Sequence, residues 1–130
     1  MMAVGDAKIS GNKRLQLGII FPESANVPPL HMYFNRTQDG VKVLEAACHA
    51  AGVSLDKGRL AGSPEKLNLF TVEGDLLRLD LELEAHLGST LQPGGCVILE
   101  KGNRISPQRL AAIQEAASLQ ASGGGGCAIM

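Results

Sequence analysis

Residues 30–52, LHMYFNRTQDGVKVLEAACHAAG, contain a strand pattern followed at once by a helix pattern. Leu30, Met32 and Phe34 alternate with other residues, which is the period of two expected of a strand with one buried face. Apolar residues then recur at helical spacing, at Val41, Leu44, Cys48 and Ala51. The change of period predicts a strand over 30–35 and a helix over about 38–51.

Both ends of this helix carry capping residues. Thr37 is expected to cap the start, because its hydroxyl can accept a hydrogen bond from a free amide of the first turn. Gly52 stands where a helix commonly ends in the left-handed conformation, which glycine adopts without steric cost.

Another alternating run lies upstream of this stretch. Leu15, Leu17, Ile19 and Phe21 recur at every second position and predict a strand. Residues 22–29 contain three prolines and are read as a turn. Two such runs close together predict a β-hairpin.

Downstream of the helix, the chain is read as a polar loop over 54–66 and then as three further strands. The first covers 67–71, a short one contains Leu77 and Leu79, and the last covers 96–101. Ser106 and Pro107 then provide a capping residue and a proline suited to the first helical position. They predict a helix over about 107–120.

The order hairpin, helix, two short strands and final strand is that of the ubiquitin-like β-grasp fold. We therefore predict an α+β domain in which a four- to five-stranded mixed sheet packs on one main helix, with a short C-terminal helix added. The predicted organisation is a disordered tail over 1–12, a ubiquitin-like domain over 13–102, a short helix and Gly-rich linker over 103–126, and a terminal motif over 127–130.

Residues 14–101 resemble the ubiquitin-like domain at the C-terminus of AN1-type zinc-finger proteins. The residues that carry this likeness are Met32-Tyr33-Phe34, the helix from Thr37, Leu67-Asn68-Leu69 and the run from Gly94 to Glu100. The zinc finger of that family is absent from this chain, so functions that need the finger are not carried over. The resemblance implies a non-catalytic adaptor of the ubiquitin–proteasome or AAA-segregase pathway.

The composition argues against several other classes of function. Twelve basic and thirteen acidic residues leave a net charge of −1, which provides no bulk attraction to nucleic acid. The three cysteines are widely spaced without a CxxC pair, which argues against a zinc site and fits a reducing compartment. We predict no catalytic residue, metal site or cofactor, and a monomeric protein.

The last four residues, Cys127-Ala128-Ile129-Met130, match a CaaX prenylation motif with a farnesyl-type final Met. A Cys thiolate is the nucleophile, and two aliphatic residues follow it. Glycines at 123–126 precede Cys127. The combination with a ubiquitin-like domain resembles the layout of membrane-anchored ubiquitin-fold proteins. We expect farnesylation of Cys127 and a cytoplasmic, peripherally membrane-associated protein.

Ile20, Tyr33 and Ile98 fall out of phase with the strand residues assigned to the core. We predict that they form an exposed apolar patch that binds a protein of the ubiquitin–proteasome pathway. Ile98→Ser is then expected to leave folding nearly intact and to weaken partner capture. The alternative is that they are scattered surface residues, which are common.

Two other functions stay open from the sequence. Cleavage after Gly126 would expose a diglycine, as in a ubiquitin-like modifier processed for conjugation, although this would discard Cys127 and a predicted helix separates the glycines from the last strand. An unusual small enzyme is the third possibility.

Overall fold

The computed structural model of the chain describes residues 5, 8–56, 59–60, 66–87, 91–92 and 94–121. Its strands are β1 (Arg14–Ile20), β2 (Leu30–Asn35), β3 (Leu55–Asp56), β4 (Arg59–Leu60), β5 (Leu67–Phe70) and β6 (Cys96–Lys101). Its α-helices are α1 (Gly40–Ala51), α2 (Leu83–His86) and α3 (Pro107–Ala121). Short 3-10 helices cover Gly11–Lys13 and Glu23–Ala25.

Four strands form one mixed sheet in the order β2-β1-β6-β5. β1 pairs antiparallel with β2 and parallel with β6, and β6 pairs antiparallel with β5. Helix α1 packs on one face of this sheet through the main core. This arrangement confirms the predicted α+β ubiquitin-like β-grasp fold with its short C-terminal helix.

The main core lies between α1 and the sheet. Each of the four strands contributes alternate residues to it, as the period of two predicts; these are Leu15, Leu17, Ile19, Met32, Phe34, Leu67, Leu69, Val97 and Leu99. Cys48 of α1 is buried in the same core, and burial raises the pKa of its thiol to about 11. At neutral pH this thiol is therefore protonated and acts as a small apolar side chain.

Helix α1 begins later than predicted, because Thr37 does not cap it. The Thr37 hydroxyl donates instead to Asn35 Oδ1 at 2.7 Å. Asp39 is the N-cap, and its Oδ1 accepts a hydrogen bond from Lys42 N at 3.0 Å. Gly52 ends the helix at φ 72°, and its amide bonds back to Cys48 and His49, as the sequence predicts.

Helix α1 turns Leu44 and Cys48 into the core and packs Ala51 against it, as predicted, but Val41 lies outside the buried face. Val41 is 44% exposed, whereas Val43 and Ala47 are fully buried. Val41 lies beside the apolar stripe rather than within it, because the stripe is centred on Val43 and Ala47. Gly40 lies at the start of this stripe, where the segment that contains Leu79 passes close to the helix. A Cβ atom on Gly40 would lie 2.8 Å from Leu79 Cα.

The connections between the predicted elements also differ from expectation. The predicted strand at Leu77 and Leu79 is replaced by an isolated bridge between Phe70 and Leu76, because the chain leaves the sheet soon after it. The predicted loop over 54–66 includes the paired strands β3 and β4. Strands of two residues are too short to show a period of two. The single turn of α2 is likewise too short to show helical spacing, so the sequence does not predict it.

Candidate functional site

The far face of the sheet, by which we mean the face away from α1, holds the strand residues that do not enter the main core. At one end of it Ile20 of β1 lies beside Ile98 of β6, and Phe70 of β5 lies on the other side of Ile98. The prediction placed Ile20 and Ile98 on this face, and the strand registers agree with that placement.

Helix α3 covers this end of the far face. Ile20 is 4% exposed and Ile98 is 0% exposed, because Ile105 and Ile113 pack against them together with Phe70. Leu110 and Cys96 lie at the edge of the same cluster. The predicted exposure of Ile20 and Ile98 is therefore wrong, because both side chains are buried in a second core within the domain.

Arg109 of α3 joins the helix to two parts of the domain. Its Nη2 donates to the Phe21 carbonyl at 3.0 Å, and its Nη1 lies 3.3 Å from Glu23 Oε1. Its Nε lies 3.9 Å from Glu100 Oε2 on the far face of β6. One guanidinium thus ties α3 to both the β1–β2 connection and β6.

A third contact holds α3 to the turn after β5. Gln114 Nε2 donates to the Val72 carbonyl at 2.8 Å. In the same turn Gly74 has φ 94°, and a Cβ atom there would lie 2.7 Å from Leu110 Cδ2. A side chain at position 74 would be strained by its backbone and would also push against α3.

Tyr33 lies on β2, in a different environment from Ile20 and Ile98. It is half-buried, and the Arg14 guanidinium carbon lies 4.2 Å from its ring centroid, which is a cation–π contact. Gly5 packs against the same ring, since a Cβ atom on Gly5 would lie 2.8 Å from Tyr33 Cδ2. The N-terminal segment therefore contacts the far face at this point.

Tyr33 is also distant from the two isoleucines. It pairs with Gln16 on β1, four residues before Ile20. At about 3.3 Å per residue this separates Gln16 and Ile20 by about 13 Å along the strand. The three predicted residues therefore do not form one continuous patch, and Tyr33 is the member that keeps partial exposure.

Sequence reasoning missed Phe70, Ile105 and Arg109 as members of this site. Phe70 was available from the pattern, since it is out of phase in its strand as Ile20 and Ile98 are in theirs, whereas Ile105 lies between β6 and α3 and belongs to no periodic run. The apolar residues of α3 and those of the far face would each be exposed to water if they stood alone. In the structure the two sets pack against each other and are buried. The role of Arg109 depends on tertiary contacts and has no local sequence signal.

The chemistry open to the described residues is limited. Within them, no group of three or more His, Cys, Asp or Glu side chains is placed to hold a metal ion. In that same part of the chain, no helix combines the length and the apolar character needed to cross a bilayer. Cys127, the rest of the CaaX motif and the glycines at 123–126 lie outside the described residues.

Comparison with known proteins does not identify a family for this chain. No protein-family model matches the chain, and no curated protein matches it. Among solved structures, the chain is similar to one chain of "MycP5-free ESX-5 inner membrane complex, State II", with 15% identity and a TM-score of 0.45. The match covers 85% of this chain and 32% of that chain, so this chain spans about a third of its length.

Proposed function

We propose that this protein is a non-catalytic ubiquitin-like interaction module, farnesylated at Cys127 and held reversibly at the cytoplasmic face of a membrane. There it binds a protein of the ubiquitin–proteasome or AAA-segregase pathway. The observation that carries the proposal is the sequence Cys127-Ala128-Ile129-Met130 following a domain with the ubiquitin-like fold.

The chemistry of prenylation suits this sequence. When Cys127 is reduced, its thiolate attacks the first carbon of farnesyl diphosphate, a thioether forms and diphosphate leaves. Ala128 and Ile129 provide the small aliphatic pair, and Met130 directs the choice of the farnesyl group. Recognition requires Met130 to carry the free carboxylate of the protein.

A single farnesyl group predicts weak attachment. One acyl chain on a protein binds bilayers only marginally, and stable anchoring normally takes a second contact such as a polybasic segment. Residues 102–126 contain Arg104 and Arg109 against Glu115. Arg109 already contacts Glu23 and Glu100, so it contributes little free positive charge. A bound partner protein would supply the second contact.

The partner-binding surface that we propose differs from the predicted patch. Ile20 and Ile98 are covered by α3, so a partner could reach them only if α3 moved. Gln16 is exposed and Tyr33 beside it is half-buried, so a partner could reach this part of the far face without such a movement. The resemblance to adaptor domains supports a protein of the ubiquitin–proteasome pathway as this partner.

Cys127→Ser tests the lipid part of the proposal by cell fractionation. The wild type is expected to divide between membrane and cytosol, in keeping with an affinity on the order of 10⁴ M⁻¹ or weaker for one short lipid chain. Cys127→Ser is expected in the cytosol alone, because a serine hydroxyl is not prenylated.

Met130→Leu is the matched control, since a final Leu directs attachment of the longer geranylgeranyl group. This variant is expected to bind membranes more strongly than the wild type does. Equal membrane fractions for all three proteins would show that no lipid at Cys127 holds the chain at a membrane.

A further inference from the structure

The two cysteines within the described residues are in different states. Cys96, at the start of β6, is disulfide-bonded, whereas Cys48 is free and 1% exposed in the main core. Burial and the raised pKa of its thiol keep Cys48 out of thiol–disulfide exchange, which needs an accessible thiolate. Cys127 is the third cysteine of the sequence, so it is the partner that remains for Cys96 within the chain.

We propose that Cys96 and Cys127 form a reversible disulfide that controls whether Cys127 can be farnesylated. The inference rests on the proposed function, because it concerns the same thiol. In the oxidised state the disulfide occupies Cys127 and holds the C-terminal segment at β6, so no thiolate is available to the transferase. Reduction releases Cys127 for attachment of the lipid.

Cys96 lies on the face of the sheet that α3 covers. It stands two residues before Ile98 and therefore points to the same face, where it packs at the edge of the second core and keeps partial exposure. Its partner in register on β1 is Gly18, which has no side chain to crowd the sulfur on that face. A second thiol carried by the chain beyond α3 can therefore approach it.

Helix α3 runs back along β6 towards Cys96. Arg109 Nε lies 3.9 Å from Glu100 Oε2, and Ile113 is buried in the same cluster as Ile98. Four helical residues advance about 6 Å and two strand residues advance about 6.6 Å, so the two elements advance together. A further step of this length brings the helix level with Cys96 at about position 117.

The chain beyond that level is long enough to return to Cys96. Helix α3 ends at Ala121, about 6 Å past position 117. Six more residues lead to Cys127, and they can span about 20 Å when extended. The glycines at 123–126 in this stretch can adopt the backbone angles that a return needs.

The oxidation balances with glutathione disulfide as the oxidant. The Cys127 thiolate attacks glutathione disulfide, a mixed disulfide forms and one glutathione leaves. The Cys96 thiolate then attacks the Cys127 sulfur, the protein disulfide forms and the second glutathione leaves. The two protein thiols thus lose two electrons, and the two departing glutathione thiolates take up the two protons. Excess reduced glutathione reverses both steps, whereas farnesylation removes the Cys127 thiol without a redox change.

Cys96→Ser tests the switch through the initial rate at which the full chain is farnesylated. Wild type and variant are equilibrated at about 0.1 mM reduced glutathione with increasing glutathione disulfide, and transferase and farnesyl diphosphate are then added. A thiol within the same chain acts at an effective concentration of about 1 mM, so the wild type is expected to lose half its rate at about tenfold less glutathione disulfide than Cys96→Ser. Cys48→Ala is the matched control and is expected to keep the wild-type midpoint. Equal midpoints for wild type and Cys96→Ser would overturn the switch.

Peptide mapping of the oxidised wild type does not depend on the folding of a variant. After alkylation of free thiols, trypsin is expected to release residues 79–101 joined by a disulfide to residues 110–130. A link from Cys96 to the peptide 43–57, which contains Cys48, or a disulfide-linked dimer would overturn the assignment. Failure of the transferase to modify the fully reduced chain would instead overturn the proposed function.

Discussion

Leu44→Ala is expected to lower the free energy of unfolding by about 2–5 kcal/mol, the range measured when a buried Leu is cut back to Ala. Leu44 is 4% exposed and packs in the main core between α1 and the sheet. Deleting its branched end leaves a cavity that the surrounding strands fill only in part. Because whole domains are stable by about 5–15 kcal/mol, this one change removes a large share of the total.

Val41→Ala is the matched control on the same helix. Val41 is 44% exposed, so its truncation is expected to change stability by no more than about 0.5 kcal/mol. Urea unfolding followed by circular dichroism measures both variants. Similar losses for the two would mean that α1 faces the sheet in a different orientation.

Ile98→Ser is expected to destabilise the domain by at least about 3 kcal/mol, which reverses the expectation drawn from the sequence. Ile98 is 0% exposed, with Ile20 and Phe70 on the neighbouring strands and α3 above it. Serine removes most of the apolar side chain and adds a hydroxyl among apolar neighbours. We expect the loss of packing to weaken the docking of α3 in particular.

Hydrogen exchange of the amides of α3 separates this local effect from general unfolding. Protection in α3 is expected to fall further in Ile98→Ser than protection in α1. Gln16→Ser changes an exposed residue on the same sheet face and should leave both helices as protected as in the wild type. Unchanged stability in Ile98→Ser would contradict the covering of this face by α3.

The strands and most helix ends could be predicted because local chemistry determines them. The period of two in β1, β2 and β6 matches their alternating contributions to the main core. Gly52 ends α1, and Ser106 caps α3 by accepting a hydrogen bond from Arg109 N at 3.2 Å.

Other features could not be predicted, because two nearby residues can cap the same helix or because the deciding contact is a tertiary one. Thr37 and Asp39 are both good caps, and the Asn35 side chain decides between them by accepting the Thr37 hydroxyl. The burial of Ile20 and Ile98 depends on α3, which is distant in sequence from Ile20 and has only a thin apolar stripe. Out-of-phase apolar residues therefore indicated a second apolar face, but they did not indicate what covers it.

The intact mass of the protein isolated from its own cells, with fragmentation of its C-terminal peptide, tests the central claim most directly. The account predicts a chain that ends at a farnesylated Cys127, with Ala128–Met130 removed after the lipid is attached. A chain that ends at Gly126 would support a modifier processed for conjugation and contradict the proposal. A chain that keeps an unmodified Cys127, or continues beyond Met130, would contradict it equally.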